Sequence, residues 1–157
     1  MLTNKGQLFS YDFLVAVSIF MLLISIGILY TQQFFSDLGF AKKSKELEKK
    51  CLDVSNILLS EGIPPNWNPS NVKLVGLATD DSLNETKVQN LMAMDVNQVK
   101  EMFGIPSYGL RIRVYTLNGT TLLLFGNNAS SYNHMAVFKR FTILDEQPVV
   151  LEVWIWD

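Results

Sequence analysis

The sequence predicts an α+β fold in which a long N-terminal helix packs on an antiparallel sheet of about four strands. Three patterns lead to this prediction. An uninterrupted apolar run lies near the N-terminus, apolar residues then recur at helical spacing between residues 47 and 58, and the last third alternates between apolar and polar residues. The helix is therefore expected to be apolar in its first half and amphipathic in its second.

The apolar run covers residues 13–30, which contain no charged side chain. Eighteen helical residues rise about 27 Å, close to the hydrocarbon thickness of a bilayer. The alternative is a buried core helix, but core helices of this length usually keep one polar side. Because this run is apolar all round, we expect a transmembrane helix within residues 7–35.

The second half of the helix is predicted from a stripe of buried positions. The spacings of this stripe are four, three and four residues, and its members are Leu47, Cys51, Val54 and Leu58. Lys and Glu residues fill the opposite side. Gly62 and the two prolines after Ile63 end the helix near Glu61, so residues 36–62 form its amphipathic continuation.

Residues 63–157 are expected to form an α+β globular domain. A strand is predicted at residues 72–77, and the capping-box spacing of Ser82 and Glu85 places a helix start at Ser82. A second short helix is predicted from Asp95 to residue 103, where Gly104 and Pro106 end it.

Two strand pairs follow in the last third of the chain. Residues 108–117 and 120–125 flank Asn118-Gly119, a strong hairpin signal, and residues 135–144 pair with residues 149–156. One face of the last strand is apolar, with Val149, Leu151, Val153 and Ile155. The other face carries Trp154 and Trp156, which we expect to cover the amphipathic helix or a neighbouring subunit.

No set of residues in the sequence predicts catalysis, a metal site or a cofactor. His134 is the only histidine and lies in a loop, and Cys51 is the only cysteine, expected to be a buried apolar residue. Asp80-Asp81 and Asp145-Glu146 are better explained as turn residues than as cation ligands. A net charge of −2 does not favour a nucleic-acid partner. We therefore expect a protein that is not an enzyme.

Three triplets match the N-glycosylation pattern and begin at Asn84, Asn118 and Asn128. Asn68 is excluded because Pro69 follows it. All three triplets lie in the part expected to be outside the membrane.

The residues before the apolar run, Lys5, Gly6 and Gln7, resemble the class III signal peptide of archaeal type IV pilins and pilin-like proteins. In that family a prepilin peptidase cuts between Gly and Gln on the cytoplasmic side, and the helix is retained. The resemblance implies a leader of residues 1–6 and a mature chain that begins at Gln7. The long helix on a sheet is also similar to the fold of that family.

The acidic residue of this segment departs from the family pattern. Type IV pilins commonly carry Glu at the fifth mature position, where Tyr11 stands here, and Asp12 is the sixth. In the family this acid pairs with the new N-terminus of a neighbour. The resemblance therefore implies that Asp12 is a candidate for assembly, shifted by about 100° around the helix.

A lysine cluster opposes the membrane topology that the signal peptide implies. Its members are Lys42, Lys43, Lys45, Lys49 and Lys50, against Lys5 alone before the span. Counting basic residues places the richer side in the cytoplasm. The peptidase site places the N-terminus there instead, and this is the topology that we expect.

The resemblance implies a structural subunit, major or minor, of an archaeal type IV pilus-like surface filament with a role in assembly or adhesion. Its partners are the prepilin peptidase, like or related subunits that pack through the N-terminal helix, and the membrane before assembly. The globular domain is expected outside the cell membrane. The alternative is a membrane-anchored monomeric binding or adhesion domain that does not assemble.

Overall fold

The computed structural model describes the backbone of residues 5–157 and the side chains from residue 11 onward. Helix α1 covers Lys5–Leu58. The chain divides into two compact units, one that ends at Lys42 and one formed by Lys43–Asp157. The second unit contains the C-terminal part of α1 and all of the strands.

The amphipathic part of α1 packs on the sheet as predicted. Its stripe is at most 1% exposed and consists of Leu47, Cys51, Val54 and Leu58. These side chains share one core with the apolar face of the last strand. The coarse prediction, an α+β fold with a long N-terminal helix on a sheet, is therefore confirmed.

The strand predicted at residues 72–77 is wrong. Only Leu74 pairs there, in an isolated bridge with Ile63. The segment instead provides hydrogen-bond donors for carbonyls at and just after the end of α1. The Leu77 N–H donates to the Leu58 carbonyl at 2.8 Å, and the Ala78 N–H donates to the Ser60 carbonyl at 3.0 Å. Terminal carbonyls of a helix need such partners, and this need outweighs the β pattern of the segment.

Two very short strands follow, β1 (Ala78–Thr79) and β2 (Ser82–Leu83). Helix α2 then covers Glu85–Met92, and its N-cap is Asn84, whose Oδ1 accepts from the Lys87 N–H at 3.2 Å. The predicted start at Ser82 is wrong because Ser82 lies in β2. Helix α3 (Val96–Met102) is capped by Asp95 as predicted.

The sheet has six strands and is mixed, which corrects the prediction of about four antiparallel strands. The longer strands are β3 (Gly109–Thr116), β4 (Thr121–Gly126), β5 (Met135–Leu144) and β6 (Gln147–Trp156). Their order is β1-β2-β5-β6-β3-β4, and β2 pairs with β5 in parallel through Leu83 and Leu144. The four longer strands pair antiparallel as expected. Strands of two residues are too short to show an alternating pattern.

Turns close the β3–β4 and β5–β6 pairs of longer strands, and a further turn joins the antiparallel β1 and β2 at Asp80 and Asp81, with φ of 51° and 63°. The β3–β4 turn has its Gly119 N–H bonded to the Thr116 carbonyl at 2.8 Å, with Gly119 at φ +87°. The β5–β6 turn is formed by Asp145 at φ 48° and Glu146 at φ 62°. Positive φ at both central residues is the geometry of a type I′ hairpin turn, which explains this acidic pair as turn residues.

The side chains of β6 alternate between the two faces of the sheet. Val149, Leu151, Val153 and Ile155 are 0% exposed in the core beneath α1. Trp154 and Trp156 point to the opposite face, so they do not cover α1. The guanidinium carbon of Arg111 lies 5.7 Å from the Trp154 ring centroid on that face.

Candidate functional site

The first unit presents an apolar helical surface. Phe13 is 65% exposed, Leu23 60% and Phe35 69%, and the most apolar 18-residue window of the described helix has a mean hydropathy of 2.6 with none of it buried. By length and composition this helix can cross a membrane. An exposed apolar surface of this size is unfavourable in water and needs to be covered by lipid or by another apolar protein surface.

The candidate processing and assembly residues lie at the start of the same helix. Lys5, Gly6 and Gln7 are its first residues, and their side chains lie outside the described part of the structure, as do residues 1–4. Asp12 is described and exposed, next to Tyr11, which is 69% exposed.

The three candidate glycosylation residues differ in accessibility. Asn118 is exposed in the β3–β4 turn and Asn128 is exposed in the loop before β5. Asn84 is half-buried, and its side chain caps α2. The exposed turn and loop are therefore the more accessible positions for a modifying enzyme.

A polar network ties the second unit's part of α1 to the C-terminal end of β6. The Lys43 Nζ lies 3.2 Å from the Tyr108 hydroxyl and 3.6 Å from the Asp157 Oδ2. Tyr108 donates to the Glu46 Oε1 at 2.8 Å. His134 meets Asp157 three times. Its backbone N–H and its Nδ1 lie 3.0 and 3.1 Å from the Asp157 Oδ1, and its carbonyl accepts from the Asp157 N–H at 3.2 Å. The sequence pattern predicts only a loop position for His134 and no contact with Asp157.

The charges of this network shift two ionisation equilibria. The hydrogen bond with Tyr108 raises the pKa of Lys43, with Glu46 and Asp157 adding to the effect. Burial alone would raise the pKa of Asp157, but the hydrogen bonds from His134 and the charge of Lys43 outweigh it and lower that pKa. Both shifts favour the charged forms that hold the network together.

The lysine cluster divides into two groups in the structure. Lys43 and Lys50 lie over the Tyr108 ring at 5.0 and 5.2 Å from its centroid, and Lys50 pairs with Glu46 at 3.9 Å. The other three are exposed, namely Lys42, Lys45 and Lys49. Part of the cluster therefore has a role inside the folded domain.

Lys87 is a buried cation that sequence analysis missed. Its side chain is 6% exposed, and its Nζ donates to the carbonyls of Glu61 at 2.9 Å and Ala78 at 2.7 Å. Burial lowers its pKa. Lys87 lies four residues before Leu91, so both lie on the buried side of α2. This helical spacing is the sequence feature that indicates burial of Lys87.

Cys51 is buried as predicted. Its Sγ lies 3.2 Å from the Val153 carbonyl oxygen, and burial raises its pKa to about 12. The thiolate is the reactive form of cysteine. Cys51 is therefore a packing residue at neutral pH.

The described residues form a cleft but hold no cluster of metal-ligating side chains. No group of three or more His, Cys, Asp or Glu side chains in that part of the chain is placed to hold a metal ion. A cleft of about 400 Å³ lies between α2 and the β5–β6 turn, with Met92, Leu122 and Leu144 as apolar lining and Glu85 and Asp145 as carboxylates.

Comparison with known protein families, with curated proteins and with solved structures finds no match to this chain.

Proposed function

We propose that this protein is a structural subunit, major or minor, of an archaeal type IV pilus-like filament. It is inserted in the membrane on synthesis and cut between Gly6 and Gln7 by a prepilin peptidase. The retained helix then packs with the helices of like or related subunits in the filament core. The globular domain lies outside the cell.

The observation that carries this proposal is the exposed apolar surface of α1. Between residues 11 and 40 its large apolar side chains remain uncovered by the described part of the chain. Such a surface is stable in lipid, and it leaves lipid only if another apolar surface replaces the acyl chains. A bundle of identical helices supplies that surface.

The folded domain supports the proposed topology indirectly. Lys43 and Lys50 contact Tyr108 in the domain, so these two lysines have a structural reason to be present that is independent of the cytoplasmic leaflet. The exposure of Asn118 and Asn128 suits glycosylation outside the cell.

The processing test measures the N-terminus of protein purified from its own host. Mass spectrometry is expected to identify Gln7 as the first residue. Gly6→Val is expected to block the cut, because a branched side chain replaces the small residue before the scissile bond, and Gly27→Val serves as the control within the same helix. An intact Met1, or a start beyond Tyr30, would contradict the proposal.

The alternative is a membrane-anchored monomeric domain that binds or adheres without assembly, and the same exposed helix suits it. Isolation of sheared surface filaments separates the two. Mature protein in the sheared fraction supports the filament subunit, and its restriction to the membrane fraction supports the monomeric anchor.

A further inference from the structure

The cleft between α2 and the β5–β6 turn combines an apolar floor with an acidic rim. Met92 is 56% exposed and Leu122 43% exposed in its wall. Glu85 and Asp145 stand at its edge and are both exposed. An apolar groove with acidic edges suits an amphipathic helix that carries cations beside its apolar residues.

The outward face of α1 in the second unit carries exposed lysines beside the half-buried Leu52, with the exposed acids Glu48 and Asp53 at its margins. Lys45, Lys49 and Leu52 follow one another at intervals of four and three residues, so they share one side of the helix. At about 100° per residue, this side lies roughly half a turn from the buried stripe that begins at Leu47. Both lysines are exposed, and neither forms an ion pair with the side chains described from residue 11 onward.

We propose that the Lys45–Lys49 face of one copy docks in the acidic cleft of a second copy. The two lysines meet Glu85 and Asp145, and Leu52 lies toward the apolar floor. This inference rests on the proposed function, because it takes a second copy of the chain as the partner. Charge complementarity selects a second copy as the partner, since each molecule carries two exposed lysines on α1 and two exposed carboxylates at the edge of the cleft.

The contact joins two different surfaces and is therefore heterologous. A heterologous contact that does not close into a ring generates an open assembly, whereas a self-complementary one stops at a dimer. The inference also gives Lys45 and Lys49, two of the three exposed lysines of the cluster, a role outside the cytoplasm.

The first test is a disulfide cross-link between copies in host membranes and filaments. Full-length chains with Lys49→Cys and with Asp145→Cys carry different tags and are expressed together. Oxidation is expected to give a dimer that carries both tags, and a chain with both substitutions is expected to give a ladder of higher oligomers. Native Cys51 is 0% exposed and can stay in place. Lys73→Cys, another exposed lysine, replaces Lys49→Cys as the control and is expected to give no mixed dimer.

The second test exchanges the charges. Lys45→Glu with Lys49→Glu, or Glu85→Lys with Asp145→Lys, is expected to lower the assembled fraction by about tenfold or more, because like charges then face each other. Chains that carry all four changes are expected to assemble again. Restored assembly supports the docking and excludes lipid headgroups as the main partner of these lysines.

The outcomes separate this inference from the proposed function. If the parent forms filaments but the cysteine variants give no mixed dimer, the docking is overturned and the proposed function is not. The same holds if the chains with all four charge changes fail to assemble again. A mixed dimer in membranes of a host that makes no filaments supports the docking and contradicts the filament role. Loss of binding to anionic lipid vesicles in the lysine variants, with no rescue, assigns the lysines to lipid and overturns the docking.

Discussion

Val153 is fully buried on β6 beneath α1, where its carbonyl oxygen is close to the Cys51 thiol. We expect Val153→Asp to abolish cooperative unfolding of the full chain in detergent, with a loss of more than about 4 kcal/mol, because an unpaired charge in a core is among the costliest substitutions. Thermal melts followed by circular dichroism measure this. Val137→Asp is the control, since Val137 is 40% exposed on the neighbouring strand. A melt of Val153→Asp near that of the parent would show that this strand face is not the core.

Asp157 connects stability to pH. Its folded pKa lies below the ordinary 3.8, so its contribution is present above pH 3.8 and is lost as the pH falls through the folded pKa. We expect Asp157→Asn to lower the melting temperature near neutral pH and to have a smaller effect in acid. The control is Asp53→Asn, an exposed acid on α1 without an ion pair in the described part of the chain. A difference that grows on acidification would contradict the direction of the pKa shift.

The β5–β6 turn holds Glu146 in a backbone conformation that is unfavourable for a residue with a side chain. Glu146 occupies positive φ at 62°, a conformation that costs a residue with a side chain about 1–2 kcal/mol. Glycine removes this cost but loses about 0.5–1 kcal/mol of chain entropy. We therefore expect Glu146→Gly to stabilise the protein by about 0.5–1 kcal/mol in chemical denaturation.

The same substitution in a helix is the control for this prediction. Glu48 is exposed within α1, and Glu48→Gly is expected to destabilise by about 1 kcal/mol because glycine is a poor helix former. The free energy of unfolding is therefore expected to rise in Glu146→Gly and to fall in Glu48→Gly, because Glu146 has positive φ and Glu48 is helical. Destabilisation by both would mean that the Glu146 conformation is not strained.

The end of α1 is closely packed against the loop that follows it. Gly62 and Gly76 approach so closely that a Cβ on Gly76 would collide with the Gly62 backbone. Trp67 covers the contact and donates from Nε1 to the Gly76 carbonyl at 2.6 Å. The loop after α1 is therefore built against the helix end, and this is why its residues do not join the sheet where the pattern predicted a strand.

At the scale of the whole molecule, Asp12 tests the proposed assembly. Placing a carboxylate at the centre of a bilayer costs about 2–3 kcal/mol. The cost is smaller near the interface, where the margin of an apolar segment lies. In a filament core the charge needs a partner, and the amino group of Gln7 created by processing is the proposed one. We expect Asp12→Asn to leave the cut before Gln7 intact while the assembled fraction falls sharply.

Sheared filaments and membrane fractions, probed for the mature chain, measure this effect. Asp37→Asn is the control, since it removes an exposed acid from the same helix outside the apolar run. Assembly of Asp12→Asn at the level of the parent would mean that Asp12 is a solvated boundary residue. The filament proposal would then continue without this ion pair.

Features that depend on neighbours along the chain are predictable from the residue pattern alone. The buried stripe from Leu47 to Leu58, the Asp95 cap and the hairpin at Asn118-Gly119 were all predicted, because helical spacing, capping and turn geometry act over a few residues. The apolar face of β6 followed from its two-residue period for the same reason.

Features that depend on distant partners follow from the three-dimensional arrangement of the chain instead. Asp157 and His134 are 23 residues apart, and the Lys87 amine reaches carbonyls 26 and 9 residues before it. The two-residue strands β1 and β2 likewise exist only because β5 and the end of α1 lie beside them. Hydrogen bonds of buried polar groups must be satisfied wherever the fold places them, and no local pattern records which distant group will do so.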